Sequence, residues 1–321
     1  MKPIGGYFEL ADREECRDYP HPNGILLNTG RNALEFILQS LGHVQKVYLP
    51  YYTCDVVLEP LNRLGIHWQY YHINGNLELA ENIIPGQDEY VIINNYFGIK
   101  DQYIAQMAAA YGDHLIVDCA QAFFAPVIDG VKCFYSARKF VGVADGGVAY
   151  PFNNKFSVEG LEEDDSSNHS DHLILRKEKG AEAGFAIYRE DEEKLNNQLM
   201  RKMSSFTEDI LLHIDYRKVI EQRRKNYLVL ESALDKQNLL KLPSVESFVS
   251  PMAYPLMIED GVALRQKLIE NKIFVPRFWP NENILGETVD GMALAETILP
   301  LPIDQRYNER DMYRIIEIIN G

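Results

Sequence analysis

An α/β domain built on a largely parallel sheet is the fold class the sequence predicts, and three observations carry it. Between residues 25 and 150, short apolar runs rich in β-branched and aromatic residues alternate with stretches of helical periodicity. Two of these runs end in polar residues, Asn94-Asn95 in EYVIINN and Asp118 in HLIVD. In parallel sheets the carboxyl ends of the strands are where ligands bind. After Pro243 the order becomes strand, helix, strand, helix, which indicates a smaller α+β unit.

The elements follow in chain order. RNALEFILQSLG (31–42) sets Ala33, Leu34, Phe36, Ile37 and Leu41 on one stripe, the pattern of an amphipathic helix. KVYLP (46–50) reads as a strand, VVLEPLNRLG (56–65) as a helix and IHWQYYHI (66–73) as a strand. EYVIINNYFG (89–98), HLIVD (114–118), KCFYS (132–136) and GGVAYPF (146–152) continue the β-rich series. DQYIAQMAAAYG (101–112) is helical and closes on a glycine. The acidic, aperiodic stretch 153–182, which contains VEGLEEDDSSNHSDH, reads as a mobile surface loop. Residues 186–240 are mainly helical, most clearly in DYRKVIEQRRKNYLVLESALDK. Finally, 253–258, 262–273, 296–303 and 309–321 form the closing strand, helix, strand and helix.

The 321 residues suffice for one large domain, expected over 1–240, and a smaller one over 241–321. Forty-seven acidic against 32 basic residues give a net charge of -15. That balance argues against nucleic-acid binding, which needs a basic face to displace phosphate counterions. No run approaches the length of a membrane span, and the first residues lack the apolar core of a signal segment. The four cysteines (16, 54, 119 and 133) have no metal-finger spacing and read as reduced thiols, so a cytoplasmic protein is expected. His169 and His172 lie among aspartates, but nothing in their spacing fixes a metal geometry.

Two residues carry most of the chemistry. Lys139 stands among Phe134, Tyr135, Phe140 and Val141, and an amine desolvated there is a nucleophile suited to a Schiff base with a carbonyl. Gly142, Gly146 and Gly147 then let the backbone turn and come close to a bound group. Asp118, at a predicted strand end, is placed to keep a pyridine nitrogen protonated. Thr29-Gly30-Arg31-Asn32 opens the first long helix, where free N–H groups favour a phosphate. Ser136 could add a hydroxyl and Arg138 a charge. Neither a GxGxxG fingerprint nor a Walker loop is present. Together these parts suggest pyridoxal 5'-phosphate, with Lys139 at its aldehyde, Asp118 at its nitrogen and the helix start at its phosphate.

The chain resembles the fold-type I pyridoxal-phosphate enzymes, and within them the DegT/DnrJ/EryC1/StrS sugar aminotransferases. TGRNALEFILQSLG is similar to that family's phosphate-binding helix start, and VYLPYYTCDVVLEPL to its strand-Pro-x-x-Thr segment. DCAQAF is similar to its Asp-x-Ala-(Gln/His)-Ala segment, KFVGVADGGVAY to its lysine segment, and ILPLPIDQRYNERDMYRIIEII to its closing strand and helix. The resemblance implies a mostly parallel seven-stranded sheet between helices. It also implies that Lys139 and Asp118 are catalytic, and that Gly30, Arg31, Asn32, Tyr52, Asp118, Gln121, Ser136 and Lys139 bind the cofactor, with Gln121 near the ring hydroxyl.

The activity implied is transfer of an amino group from an amino-acid donor, glutamate in many relatives, to a keto-sugar attached to a nucleotide. Products of such enzymes enter polysaccharide biosynthesis, and the family works as homodimers. Four departures set this chain apart. Arg31 follows the glycine where Ser or Thr is usual, and Cys54 occupies the place of a ring-stacking aromatic that Tyr51, Tyr52 or Tyr96 could fill. Ser136 stands where His is frequent, and the Asn-x-Arg segment of the partner subunit has no counterpart in LMRKMSSF. Two other readings remain: a lyase or dehydratase on the same cofactor, and a non-catalytic binding protein. Retention of Lys139 argues against the dehydratase, whose relatives carry histidine there.

Overall fold

The computed structural model describes residues 2–16, 18–152, 156–279, 288–289 and 292–321. Strand β1 (Ile4–Gly5) begins the chain; β2 (Ile25–Leu27) leads into helix α1 (Gly30–Leu41). Then follow β3 (Lys46–Pro50), α2 (Leu58–Arg63), β4 (His67–Tyr71), β5 (Glu89–Asn94), α3 (Asp101–Tyr111), β6 (Leu115–Cys119), β7 (Lys132–Ser136) and β8 (Gly147–Tyr150). Their seven-stranded sheet has the order β2-β8-β7-β6-β5-β3-β4. Only β8 runs against its neighbours; the other pairings are parallel. The alternating elements therefore give the expected sheet.

The inner strands β5 to β8 are largely apolar on both faces because both faces are covered, whereas the edge strand β4 exposes His67, Trp68 and Gln69. On one side Ile92, Ile116 and Phe134 pack with Leu34, Phe36 and Ile37 of α1. On the other, Val91, Ile93, Val117 and Tyr135 join a cluster that reaches α3 and the C-terminal half. The α1 stripe forms as its sequence period requires: Ala33, Leu34, Phe36 and Ile37 are fully buried, and the helix closes at Gly42 with φ +81°.

The segment 153–182 departs from the expected loop. Its described part holds a 3-10 turn, Ser166–His169, and helix α4 (Asp171–Lys179), and several of its polar residues are buried. Pairing with residues outside the segment is the reason. The His172 ring and the Asp191 carboxylate lie 2.6 Å apart, and Arg176 Nε donates to Glu9 at 3.1 Å. Polar side chains that satisfy one another can be buried, and periodicity does not register them. No group of three or more His, Cys, Asp or Glu among the described residues could hold a metal ion.

The chain continues through α5 (Phe185–Lys194), α6 (Ser205–Leu212) and the long α7 (Tyr216–Leu234). Then come β9 (Ala253–Met257), α8 (Gly261–Glu270), β10 (Ile273–Phe274), β11 (Thr288–Val289), β12 (Met292–Ala293), α9 (Leu294–Thr297), β13 (Ile298–Pro302) and α10 (Glu309–Asn320). Strands β9 and β13 pair antiparallel, and β1 adds to β10 in parallel, so the N-terminal arm lies against the C-terminal elements. α10 begins with a capping box between Asn308 and Asp311. No helix among the described residues is long and apolar enough to cross a membrane.

Candidate active site

Side chains alternate across a strand, and neighbours in register share a face. Asn94 pairs with Asp118, and Asp118 with Phe134. Phe134 packs on the α1 side, so Asn94, Asp118 and, two residues past Phe134, Ser136 all lie on that side at the carboxyl ends of β5, β6 and β7. The start of α1 meets them there. A Cβ on Gly30 would lie 3.5 Å from Ser136 Cβ, so the helix N-terminus and the serine are in contact distance.

Thr29 caps α1, its hydroxyl accepting from Asn32 N–H at 3.1 Å. With Asn32 N–H taken, the N–H groups of Gly30 and Arg31 remain at the positive end of the helix dipole. Gly147 of β8 makes this approach possible. A Cβ there would stand 2.2 Å from the Thr29 carbonyl oxygen, so only glycine fits. Gly142 serves the N-terminal arm in the same way, with Glu9 O 1.7 Å from where its Cβ would be.

Asp118 is buried, and its Oδ1 accepts from Ala120 N–H at 2.8 Å. Burial pushes its carboxyl above the usual range, while the Ala120 N–H and the charge of Lys139 pull it down. The amine is thus close enough to act on the carboxylate electrostatically. Lys139 ends a 3-10 turn, Ala137–Lys139, that Ser136 precedes. It is half-buried, with Nζ 5.9 Å from the centre of the Phe278 ring. Gln121 is buried; its Oε1 accepts from Phe97 N–H at 2.8 Å and its Nε2 has no partner. Tyr52 stacks on Tyr96, with ring centres 5.7 Å apart, and its hydroxyl is likewise unpartnered.

Two expected ligands turn elsewhere. Arg31 Nη1 donates to Glu59 at 2.8 Å and to the Leu195 carbonyl at 2.9 Å, which leaves only its backbone N–H facing the helix start. Asn32 spends its side-chain amide on Asn28 Oδ1 and the Leu199 carbonyl. Both tie α1 to segments distant in sequence, which no local pattern announces. Arg138 is not free charge either: it is ion-paired with Glu192 of α5.

Of three further residues near this edge, the sequence reading marked Asn94 only as a strand end and missed Phe278 and Trp279. Asn94 donates to Thr53 Oγ1 at 3.0 Å and keeps a buried, unpartnered Oδ1 beside Asp118. Its place at a strand end was the available signal. Phe278 reaches Lys139, and Trp279 meets Tyr52 edge-on at 4.8 Å. Their only signal was an aromatic pair before Pro280.

The chain shares its fold, a mostly parallel seven-stranded sheet with helices, with solved structures of aminotransferases. Among solved structures the chain is similar to a DegT DnrJ EryC1 StrS aminotransferase from Brucella abortus (TM-score 0.64, 16% identity, 93% of this chain and 85% of that one). It is also similar to the sugar aminotransferase CalS13 from Micromonospora echinospora (TM-score 0.62, 16% identity, 99% of each chain). A third is DesI, solved in the presence of its TDP-sugar product (TM-score 0.64, 13% identity, 92% of this chain and 79% of that one). No family model and no curated protein matches the sequence. At such identities the likeness is one of fold.

Proposed function

We propose that the protein is a pyridoxal-phosphate-dependent aminotransferase that moves an amino group from an amino-acid donor, glutamate, to a nucleotide-linked keto-sugar. The observation that carries this reading is the convergence of Asp118, Ser136, Lys139 and the α1 N-terminus at one edge of the sheet. DesI, of the same fold, has a TDP-sugar product, which supports the acceptor class.

The residues present fit the cofactor. The open N–H groups of Gly30 and Arg31, with the Ser136 hydroxyl, form an anion receptacle. Gln121 Nε2 and Tyr52 OH are buried polar atoms still lacking partners, as contacts awaiting a ligand would be. When bound, the cofactor supplies an electron-withdrawing ring that stabilises negative charge on the substrate carbon. The Asp118 carboxylate holds the proton on the ring nitrogen, and Lys139 Nζ moves the proton at the reacting carbon. Tyr52, Tyr96 and Trp279 form an aromatic wall that excludes water and, in the absence of an aromatic residue at Cys54, bounds the ring.

A division into a large domain (1–240) and a small one (241–321), homodimeric assembly, cytosolic location and a role in polysaccharide biosynthesis belong to the same proposal. They are supported by the resemblance in the motifs. The test is the visible spectrum of the purified protein with pyridoxal phosphate, before and after glutamate. A cofactor band that glutamate converts is the expected result. A band indifferent to every amino acid would leave the cofactor and remove the transamination. No band would overturn the reading.

A further inference from the structure

Arg223, in the second turn of α7, is fully buried. Its Nε donates to Gln305 Oε1 at 2.9 Å, and its Nη1 to the carbonyls of Met252 at 3.2 Å and Pro251 at 3.4 Å. Its Nη2 reaches the Phe140 carbonyl at 3.4 Å, and its guanidinium lies over the Phe140 ring at 4.7 Å. Gln305 Nε2 donates to the same Phe140 carbonyl at 2.7 Å. None of these acceptors is a carboxylate. Asp304 attracts Arg223 from a distance but is engaged by Arg306, at 2.7 and 3.0 Å. A cation buried among neutral acceptors is costly, and an apolar residue would fill the space without that cost. What only a guanidinium supplies is a planar set of donors that joins several backbone segments at once.

The joined segments are informative. Phe140 is the residue after Lys139. Met252 N–H donates to the Phe97 carbonyl at 2.7 Å, and Phe97 N–H donates to Gln121 Oε1 at 2.8 Å. Phe97 sits at φ +54°, a left-handed conformation that its surroundings must impose. An unbroken run of hydrogen bonds therefore leads from the backbone beside Lys139, through Gln305 and Arg223, to Gln121. We propose that Arg223 is a positioning residue that, with Gln305, fixes Lys139 and Gln121 relative to one another across the site. This inference rests on the function proposed above, and its test separates the two.

The test uses the full chain, with Arg223→Lys, which keeps charge but loses the planar fork, and Gln305→Ala, which is half-buried and removes the shorter contact. Ile315→Val, a buried loss of one methylene in α10, sets the baseline for destabilisation alone. In protein whose cofactor band Lys139→Ala abolishes, both variants are expected to lower the half-reaction kcat about tenfold or more at unchanged donor KM. They should also weaken cofactor affinity, and Ile315→Val should do neither. Without cofactor, amide hydrogen exchange of Phe97 and Met252 should quicken in both variants. If the variants only lower the melting temperature, as Ile315→Val does, the proposal falls. If the parent protein shows no Lys139-dependent band, the enzymatic reading falls instead, and unchanged exchange at Phe97 and Met252 would overturn the clamp by itself.

Discussion

Gly147→Ala tests the anion receptacle at the start of α1. Gly147 lies in register with Ser136 and its Cβ position abuts Thr29 and Gly30, so it adjoins both parts of the receptacle. A Cβ there would be 2.2 Å from Thr29 O and 2.8 Å from Gly30 N, whereas real Cβ atoms essentially never show contacts under 3.0 Å. Both obstacles are backbone atoms, so the first turn of α1 must recede by at least the difference, 0.8 Å. Overpacking of this kind costs about 1–3 kcal/mol of stability. The N–H groups of Gly30 and Arg31 recede with the turn, away from hydrogen-bond distance to a phosphate. An anion at a helix N-terminus gains up to about 2 kcal/mol, which is roughly thirtyfold in affinity.

The assay is equilibrium titration with pyridoxal phosphate and, in parallel, with pyridoxal, which has the same ring and aldehyde but no phosphate. The variant should lose roughly ten- to thirtyfold for the first ligand and nothing for the second. Unchanged affinity for pyridoxal phosphate, or equal losses for both ligands, would refute the reasoning.

Three further outcomes are expected. Because burial raises the Asp118 carboxyl in the folded protein, its contribution to stability is full below the unfolded pKa and is lost as pH rises through the folded one. Asp118→Asn should therefore make the cofactor-free protein more stable than wild type at neutral pH, with the gap closing in acid, while turnover with cofactor falls severely. Urea unfolding across pH checks the first half, and equal stability at neutral pH would contradict it. Lys139→Ala should abolish the lysine-dependent cofactor band and turnover with the fold retained by circular dichroism; full turnover would remove the assignment. Asp145 accepts from Ser204 N–H at 2.7 Å, from the Ser204 hydroxyl at 2.8 Å and from the Thr207 hydroxyl. Asp145→Ala leaves these donors unpaired and should cost about 3 kcal/mol in denaturant unfolding; wild-type stability would show that they find other acceptors.

Six of the seven strands of the central sheet were legible because each is a short run rich in β-branched or aromatic residues, and α1 because its stripe recurs at the helical period; β2, three residues long, was too short to register. Boundaries shifted where local turns intervened: the helix expected over 56–65 opens as a 3-10 turn, Asp55–Val57, before α2 begins. The described part of the segment 153–182 was misread because its burial rests on side-chain pairs such as His172 with Asp191. Composition counts those residues as polar whether or not they face water.

Of the candidate site, the residues placed by one strand end or one helix start were readable: Asp118, Ser136, Lys139 and the Thr29–Gly30 turn. Each sits where period and turn chemistry put it, and local sequence determines both. The sequence also determined the alternation that brings these ends to one edge. It left undecided where long side chains go. Arg31 and Glu59 are 28 residues apart, Arg138 and Glu192 are 54 apart, and Gln305 and the Phe140 carbonyl are 165 apart. Such partners are chosen by the packing of whole elements against one another. Only tertiary structure could show that Arg31 is spent on the scaffold, that Phe278 and Trp279 reach the lysine edge, and that a buried arginine holds the backbone beside Lys139.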